Sequence, residues 1–213
     1  EFRLYAGIAL TASFLVALGL NWGGDIGKWG EQIRLASFQV VSIMTGTGYA
    51  TADYNLWPST ATGVLFLMMF VGGCIGSTTG NIKVGRYLIL IRRVLMELKK
   101  MIHPKAVLTM RSGDRVINED LVSNVAQFFF LYFMFLALGV LGLTMLGLDV
   151  TSSLTASAAC LGNIGPGFVA VGPTQNYSFI PDVGKYLLSA LMLIGRLEIF
   201  PMLILLLPAY WKQ

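Results

Sequence analysis

The stretch Ser152-Ser-Leu-Thr-Ala-Ser-Ala-Ala-Cys-Leu-Gly-Asn-Ile-Gly-Pro-Gly167 decides the fold, because its order of features occurs twice in the chain. The earlier copy is Glu31-Gln-Ile-Arg-Leu-Ala-Ser-Phe-Gln-Val-Val-Ser-Ile-Met-Thr-Gly-Thr-Gly-Tyr-Ala50. Each copy predicts a short, half-polar helix followed by a glycine-containing turn, and neither reaches the roughly 20 apolar residues that a membrane span needs. Placing Gly48 on Gly165 aligns the two copies. Repeats of this kind often indicate symmetry about a central pathway.

The composition indicates an integral membrane protein. Of the 213 residues, 55% are hydrophobic and only 12% are charged, whereas soluble domains carry roughly a quarter charged residues. A soluble enzyme domain and a disordered chain are therefore both excluded as classes. Four apolar stretches approach spanning length, and we predict them as membrane spans: Tyr5–Trp22, Leu56–Ile75, Val125–Leu148 and Val183–Leu207. An apolar helical pattern with arginines continues from Val84 to Met96.

The distribution of charge predicts the orientation. Nine of the 15 Lys and Arg residues lie in the segment 83–115, so this segment should be cytoplasmic. The same clustering between apolar segments argues against nucleic acid as the partner of this basic chain. The segments on the opposite side carry more acidic than basic residues, which attracts cations: Asp25, Glu31, Asp53, Asp149 and Asp182 against Lys28, Arg34 and Lys185. An ordinary solvated surface is the alternative for any one of these carboxylates.

The two glycine-containing turns predict a cation site. Each lies between a short helix and a span, and backbone without regular hydrogen bonds survives at membrane depth only when it is buried or lines a cavity. A helix that ends there directs its negative dipole end and its free carbonyls toward that cavity. Carbonyl oxygens replace the water shell of a monovalent cation, and glycine permits the backbone angles that this requires. The alternative is a pair of simple turns on the outer surface.

A second glycine-rich segment follows the second span and predicts a broken helix at mid-membrane depth. Its glycines and hydroxyl residues disfavour a continuous helix: Gly72, Gly73, Gly76, Ser77, Thr78, Thr79 and Gly80. A helix crossing packed through glycines is the alternative. The segment lacks the Gly-Lys-Ser/Thr ending of a nucleotide-binding loop.

Arg196 lies within the fourth apolar stretch, where a charged residue is costly and should face a polar interior. We interpret it as an electrostatic barrier in the ion path or as an anchor for the glycine-rich segment, with an interhelical ion pair as the alternative. A pair with Glu198 is a poor explanation because the two residues lie on different helix faces. Lys83 either joins the barrier or begins the cytoplasmic basic cluster.

At these motifs the sequence resembles the Trk/Ktr/HKT superfamily of potassium transporters, and most of all the membrane subunits of bacterial Trk systems. The resembling segments cover nearly the whole chain: Met44–Thr51, Gly72–Lys83, Ile102–Val107, Ala159–Gly167 and Gly195–Phe200. The resemblance implies an all-α membrane fold of helix–pore loop–helix repeats, similar to potassium channels, with a broken helix in the first repeat. Residues 1–105 and 106–213 would be the third and fourth of four repeats.

The resemblance also implies the function and the residues that perform it. The chain would take up potassium through a selectivity filter formed by Gly46, Thr47, Gly48, Tyr49, Asn163, Ile164, Gly165 and Pro166, with the ion held at Thr47, Gly48, Ile164 and Gly165. The glycine-rich segment, with Lys83 and Arg196, would be the gate. The implied partners are the missing N-terminal repeats, a second copy in a homodimer, a cytoplasmic nucleotide-binding regulatory subunit of the TrkA type and the lipid of the bacterial inner membrane. A non-conducting scaffold with re-entrant loops is the alternative function. An enzyme is not expected, because no cluster of catalytic side chains is evident.

Overall fold

The chain folds into α-helices, with one very short hairpin. The computed structural model describes residues 1–23, 27–103, 111–112, 115–116 and 118–212. The helices are α1 (Phe2–Gly23), α2 (Trp29–Met44), α3 (Ser59–Met68), α4 (Val84–Ile102), α5 (Glu119–Met145), α6 (Val150–Leu161), α7 (Asp182–Arg196) and α8 (Ile199–Leu206). Three 3-10 turns cover Tyr54–Leu56, Val169–Val171 and Pro208–Lys212. Strands β1 (Arg111–Ser112) and β2 (Arg115–Val116) pair antiparallel.

The first and third predicted spans are confirmed as helices. Within the described ranges, α1 and α5 are each long and apolar enough to cross a membrane. The fourth predicted span is divided into α7 and α8, whose axes differ by 115° across the break. Glu198 lies in this break with a φ of 60°, which is uncommon for a residue with a side chain. The predicted fourth span is therefore a strongly bent pair of helices.

The second predicted span is wrong as a continuous helix. The α-helix within Leu56–Ile75 is α3, and its 10 residues reach about 15 Å, half the thickness of the hydrocarbon core. The chain then leaves the helical conformation at Met69 and regains it at Val84, where α4 begins. The segment between these residues contains the glycines and hydroxyl residues from which a broken helix is predicted. That broken helix is confirmed, and the apolar residues before it had suggested too long a span.

The two halves repeat the same order of elements around two separate cores. A long helix is followed by a short helix, a glycine-containing loop, a 3-10 turn and another helix. In the first half α1 packs against α2 and α3, and in the second half α6 packs between α5 and α7. The predicted boundary after residue 105 lies outside the described residues, as do Asp25 and Lys105. The division into two repeats at that point therefore stays a prediction.

Small side chains allow α6 to sit in the middle of the second half. Every residue from Ser152 to Leu161 is buried except Leu154, and most of these residues are Ser, Thr or Ala. Small residues let membrane helices approach closely. Gly139 of α5 also lets the helices approach closely, since an added Cβ at this position would lie 2.6 Å from Leu191 Cδ1 and 2.9 Å from Ser157 Oγ. The loop that follows α6 is thus held by a tightly packed helix.

Candidate ion-binding site

The loops that follow α2 and α6 share three corresponding backbone hydrogen bonds. In the first loop the bonds run from Thr45 N–H to Val41 O at 2.9 Å, from Gly46 N–H to Ile43 O at 3.1 Å and from Thr47 N–H to Ser42 O at 2.9 Å. In the second they run from Gly162 N–H to Ala158 O at 2.8 Å, from Asn163 N–H to Cys160 O at 3.1 Å and from Ile164 N–H to Ala159 O at 2.9 Å. Each of these three bonds of one loop corresponds to a bond of the other in the alignment that places Gly48 on Gly165. The repeated order in the sequence thus has a repeated geometry.

The corresponding positions also share unusual backbone angles. Gly46 and Asn163 have φ values of 67° and 54°, and Gly48 and Gly165 have values of 73° and 109°. Side chains are disfavoured at such angles, except for a few residue types such as asparagine. Gly48 and Gly165 are therefore required by the path of the backbone. Each loop thus has positive φ angles at the same two positions after the end of its helix.

The two loops touch one another. An added Cβ on Gly48 would overlap the carbonyl oxygen of Ile164 and would lie 3.1 Å from Pro166 Cδ. An added Cβ on Gly46 would lie 3.3 Å from the carbonyl oxygen of Asn163. Backbone oxygens of the second loop therefore border the backbone of the first. This is the proximity that a shared ring of carbonyl oxygens requires.

Hydroxyl groups hold three carbonyls of these loops, and the sequence interpretation missed all three. Ser42 Oγ donates to Tyr49 O at 2.6 Å, and Tyr177 Oη donates to Gly165 O at 2.7 Å. Tyr54 of the first half reaches into the second, where its hydroxyl donates to Gly167 O at 3.0 Å. No local pattern predicts these contacts, because the tyrosines are 12 and 113 residues away from the residues that they hold.

The glycine-rich segment between α3 and α4 lies directly against the second loop. An added Cβ on Gly80 would overlap the carbonyl oxygen of Gly162, and one on Gly162 would overlap the side-chain amide of Asn81. Asn81 is buried, has a φ of 63° and accepts a hydrogen bond from Tyr132 Oη at 3.2 Å. The segment is therefore packed at the base of a candidate filter loop. The structure brings these two predicted groups of residues together.

The two ends of this segment are joined by backbone hydrogen bonds, so that it forms a closed loop. Gly72 N–H donates to Ile82 O at 3.0 Å, and Val84 N–H donates to Gly73 O at 3.1 Å. We refer to residues 72–81 as the intramembrane loop, after the location that the sequence predicts for it. Inside it, the Thr79 hydroxyl accepts a hydrogen bond from Gly73 N–H at 3.0 Å and lies 2.8 Å from Ser77 Oγ.

The exposed tip of the intramembrane loop contains Gly76 and Thr78, and a carboxylate anchors the tip to α4. Glu1 Oε1 accepts hydrogen bonds from Ile75 N–H at 2.7 Å and from Gly85 N–H at 3.0 Å. The sequence interpretation assigned no role to Glu1. This carboxylate connects the tip of the loop, the start of α1 and the start of α4.

The charged residues predicted near the gate have different surroundings. Arg196 is exposed at the end of α7, and no ion pair of its side chain occurs among the described residues. Glu198 instead binds two cations from the start of α4, with Lys83 Nζ at 2.7 Å and Arg86 Nη2 at 2.8 Å. The guanidinium of Arg86 also lies 3.7 Å from the centre of the Phe128 ring. The ion pair between helices that the sequence analysis considered for Arg196 is thus made by Glu198.

The acidic residues predicted on the outer side are mostly engaged in local contacts. Glu31 pairs with Arg34 at 3.7 Å and Asp182 pairs with Lys185 at 3.1 Å. Asp53 accepts a hydrogen bond from Thr174 Oγ1 at 3.1 Å. Asp149 caps α6 by accepting the Ser152 N–H at 2.9 Å, and this hydrogen bond lowers the pKa of the Asp149 carboxyl. Local contacts therefore explain Glu31, Asp149 and Asp182, whereas Asp53 binds a residue 121 positions away in the second half.

Comparison with known proteins identifies the family. The family described as TrkH, cation transport protein, matches residues 25–213. The chain belongs to the TrkH family. This confirms the resemblance to bacterial Trk membrane subunits, and it agrees with the interpretation that the chain is an integral membrane protein and not an enzyme.

Relatives and a solved structure of the TrkH family match most or all of the chain. The Trk system potassium uptake protein TrkI of Halomonas elongata is 40% identical over 178 residues, which are 83% of this chain and 36% of that protein. TrkG of Escherichia coli is 38% identical over all 213 residues, or 43% of its own length. The crystal structure of the potassium transporter TrkH from Vibrio parahaemolyticus matches with a TM-score of 0.90 at 36% identity, covering 99% of this chain and 45% of that one. The chain thus spans less than half of the length of each of these relatives, and the all-α membrane fold is confirmed.

Proposed function

We propose that this chain forms half of a potassium pathway, in which its two loops contribute carbonyl oxygens to a selectivity filter. The observation that carries the proposal is the repeated loop geometry: two backbones with three matching hydrogen bonds and matching left-handed angles lie in contact. Membership of the TrkH family and the printed names of its relatives as potassium uptake proteins support potassium as the transported ion.

Backbone oxygens suit this ion because they replace its water shell without adding a fixed negative charge. The proposed ligands are the carbonyl oxygens of Thr47, Gly48, Ile164 and Gly165. Gly46, Tyr49, Asn163 and Pro166 would complete the two filter loops. Two loops in contact do not surround an ion, so two more such loops are needed. We assign them to two further repeats within the part of the relatives' length that this chain does not span.

The intramembrane loop is the proposed gate. It packs against Gly162, at the base of the second filter loop, and backbone hydrogen bonds close it on itself. A loop in this position blocks the path below the filter and has to move for conduction. Lys83 follows it directly, and Arg196 is exposed beside the break between α7 and α8, where it would raise a barrier to cations.

The assembly is proposed on the resemblance and on charge. A homodimer and a regulatory subunit of the TrkA type would complete the transporter in the bacterial inner membrane. The basic segment 83–115 would face the cytoplasm, where positively charged loops accumulate. Exposed apolar side chains on α1 and α5, such as Leu10 and Phe130, fit a surface against lipid or the two further repeats.

Ion flux into liposomes tests the filter, with the protein completed by its N-terminal repeats. Gly48→Ser and Gly165→Ser should each reduce the preference for potassium over sodium, because serine disfavours the left-handed angle and at Gly48 also overlaps the neighbouring loop. Gly147→Ser is the matched control, since Gly147 has a φ of 90° in the turn between α5 and α6, where an added Cβ would meet no atom within 4 Å. A preference that neither filter substitution changes would contradict the proposed filter. Absence of any flux from the unsubstituted protein would favour the scaffold alternative.

A further inference from the structure

Glu198 binds the first residues after the intramembrane loop. Its two carboxylate oxygens accept separate hydrogen bonds, from Lys83 at 2.7 Å and from Arg86 at 2.8 Å. The side chains of Lys83 and Arg86 are only 16% and 18% exposed, whereas that of Glu198 is 42% exposed. Two cations that have lost most of their water therefore share one carboxylate, 112 and 115 residues away in the sequence.

These contacts join the two places where the membrane helices break. Lys83 lies between Ile82 and Val84, the residues whose backbone bonds close the intramembrane loop. Glu198 lies in the 115° bend between α7 and α8, and its side chain makes no capping hydrogen bond to α8. The Glu198 carboxylate therefore binds at the break between α3 and α4, and it does not cap α8.

The same bend is fixed against the candidate filter. An added Cβ on Gly195 would overlap the carbonyl oxygen of Leu161, the last residue of α6. The Asn163 side chain, in the loop that follows, donates to Met192 O at 3.1 Å. The end of α7 is thus packed against the filter loop, and Glu198 extends from this fixed end to the base of the intramembrane loop.

The two cations would respond differently to the loss of the carboxylate. Arg86 keeps the ring of Phe128 as a second partner, and a cation over an aromatic face is stabilised. Among the described residues, the ammonium group of Lys83 is held by its ion pair with Glu198. An unpaired ammonium group at membrane depth is unfavourable and moves toward water. Movement of Lys83 would draw the adjoining base of the loop with it.

We propose that Glu198 is a positioning residue that holds the intramembrane loop in its blocking position through Lys83. The inference rests on the proposed function in one respect, namely that this loop obstructs the ion path. The attraction between Glu198 and Lys83 adds to the free energy that opening has to overcome. Glu198, in the second half of the chain, thus acts on Lys83, in the first half.

Two measurements on the transporter completed by its N-terminal repeats test this proposal. The first is potassium flux into liposomes per folded protein, and the second is the rate at which a maleimide labels Cys74, a half-buried thiol inside the intramembrane loop. Glu198→Gln and Lys83→Met should each raise both quantities about fivefold or more, the lower range of ordinary coupling between sites. The double substitution should add little to either single one, because each removes the same contact.

The matched control is Glu97→Gln. Glu97 pairs with Arg93 at 2.8 Å and with Lys100 at 3.8 Å, all within α4, and it connects no second break. This variant should leave flux and labelling unchanged. A merely structural role of Glu198 would lower the yield of folded protein without changing either rate per folded molecule.

The outcomes separate this inference from the proposed function. Potassium flux in the parent together with parental rates in Glu198→Gln would overturn the role of Glu198 and leave the filter intact. Faster labelling without faster flux would also overturn it, because the loop would then not limit the ion path. A parent that does not conduct would refute the proposed function, and Cys74 labelling would still report whether Glu198 holds the loop.

Discussion

Gly165 has a φ of 109°, and its carbonyl oxygen accepts a hydrogen bond from Tyr177 Oη at 2.7 Å. Glycine has no side chain to limit its backbone angles, so the direction of this carbonyl depends on what binds it. The tyrosine hydroxyl is a neutral donor on a ring with few rotatable bonds. At the scale of the residue, Tyr177 therefore acts as a fixed support for one proposed potassium ligand.

Tyr177→Phe should weaken the preference for potassium over sodium. The substitution removes one hydrogen bond worth about 1 kcal/mol, so the selectivity ratio should fall by up to about fivefold. The measurement is competitive flux of the two ions in liposomes. Tyr186→Phe on the exposed face of α7 is the control and should have no effect. Parental selectivity in Tyr177→Phe, under conditions where Gly165→Ser loses it, would show that the hydroxyl does not position the filter.

Residues whose role depends on local backbone could be predicted from the sequence, and residues whose role depends on distant contacts could not. Gly48 and Gly165 stood out because each follows a short helix at the same place in a repeat. Tyr54 and Glu198 form contacts across more than 100 residues, and a single sequence carries no signal for such pairs. The sequence places Arg196 as the cation nearest to Glu198 and gives no sign that Lys83 and Arg86 are its partners.

At the scale of the element, α6 has a side-chain cap and α2 lacks one. Asp149 accepts the Ser152 N–H, whereas Lys28 precedes α2 without a side-chain hydrogen bond. Asp149→Ala should lower the free energy of unfolding by roughly 1 kcal/mol, the usual value of an N-cap. Thermal unfolding in detergent measures this loss. Asp149→Asn keeps an acceptor and is the control; equal stability of the Ala and Asn variants would contradict a capping role.

The same cap predicts a dependence on pH. The hydrogen bond from Ser152 N–H lowers the pKa of the Asp149 carboxyl in the folded protein. The charged cap therefore stabilises the fold above the pKa of an unfolded aspartate, about 3.9, and this contribution is lost as the pH falls through the lower folded pKa. The stability of the parent relative to Asp149→Asn should decrease on acidification. A difference that stays constant down to about pH 3 would contradict this titration.

Element lengths show what hydropathy alone leaves open. The apolar stretch Leu56–Ile75 is long enough to suggest a span, but its helix ends at Met68 and does not resume through the glycines and hydroxyl residues that begin at Gly72. The stretch Val183–Leu207 is also long enough to suggest a span, yet the chain bends by 115° at Glu198, whose carboxylate binds Lys83 and Arg86. Hydropathy thus predicted which segments are apolar. The first break contains residues that disfavour a helix, and the second lies just before Pro201, which cannot continue a helix from the preceding turn.

At the scale of the whole molecule, two cores are joined through the proposed filter loops and the intramembrane loop. The first core is formed by α1, α2 and α3 and also includes Ile164 and Phe168 of the second half. The second includes Ile82, which lies at the end of the intramembrane loop. Each half thus buries part of the other at the proposed ion path. A substitution in either loop should therefore alter the packing of both halves.

The proposed orientation places the ends of α5 on opposite sides of the membrane. Helix α5 has 27 residues and is about 40 Å long, enough to cross the bilayer and its interfacial regions. Lys99 lies before it in the basic segment, and Asp182 lies after it at the start of α7. Both residues are exposed. The concentration of basic residues before α5 assigns Lys99 to the cytoplasm.

Cysteine labelling measures this orientation in a Cys74→Ser background, where the remaining Cys160 is buried. A membrane-impermeant maleimide should label Asp182→Cys in right-side-out vesicles and Lys99→Cys only in inside-out vesicles. Detergent-solubilised protein, in which both sites are accessible, controls for intrinsic reactivity. Labelling of both sites from one side would contradict a membrane-spanning α5. Labelling of Lys99→Cys in right-side-out vesicles and of Asp182→Cys only in inside-out vesicles would place the basic segment outside the cell. The proposed filter would then face the cytoplasm, and the intramembrane loop would face the exterior.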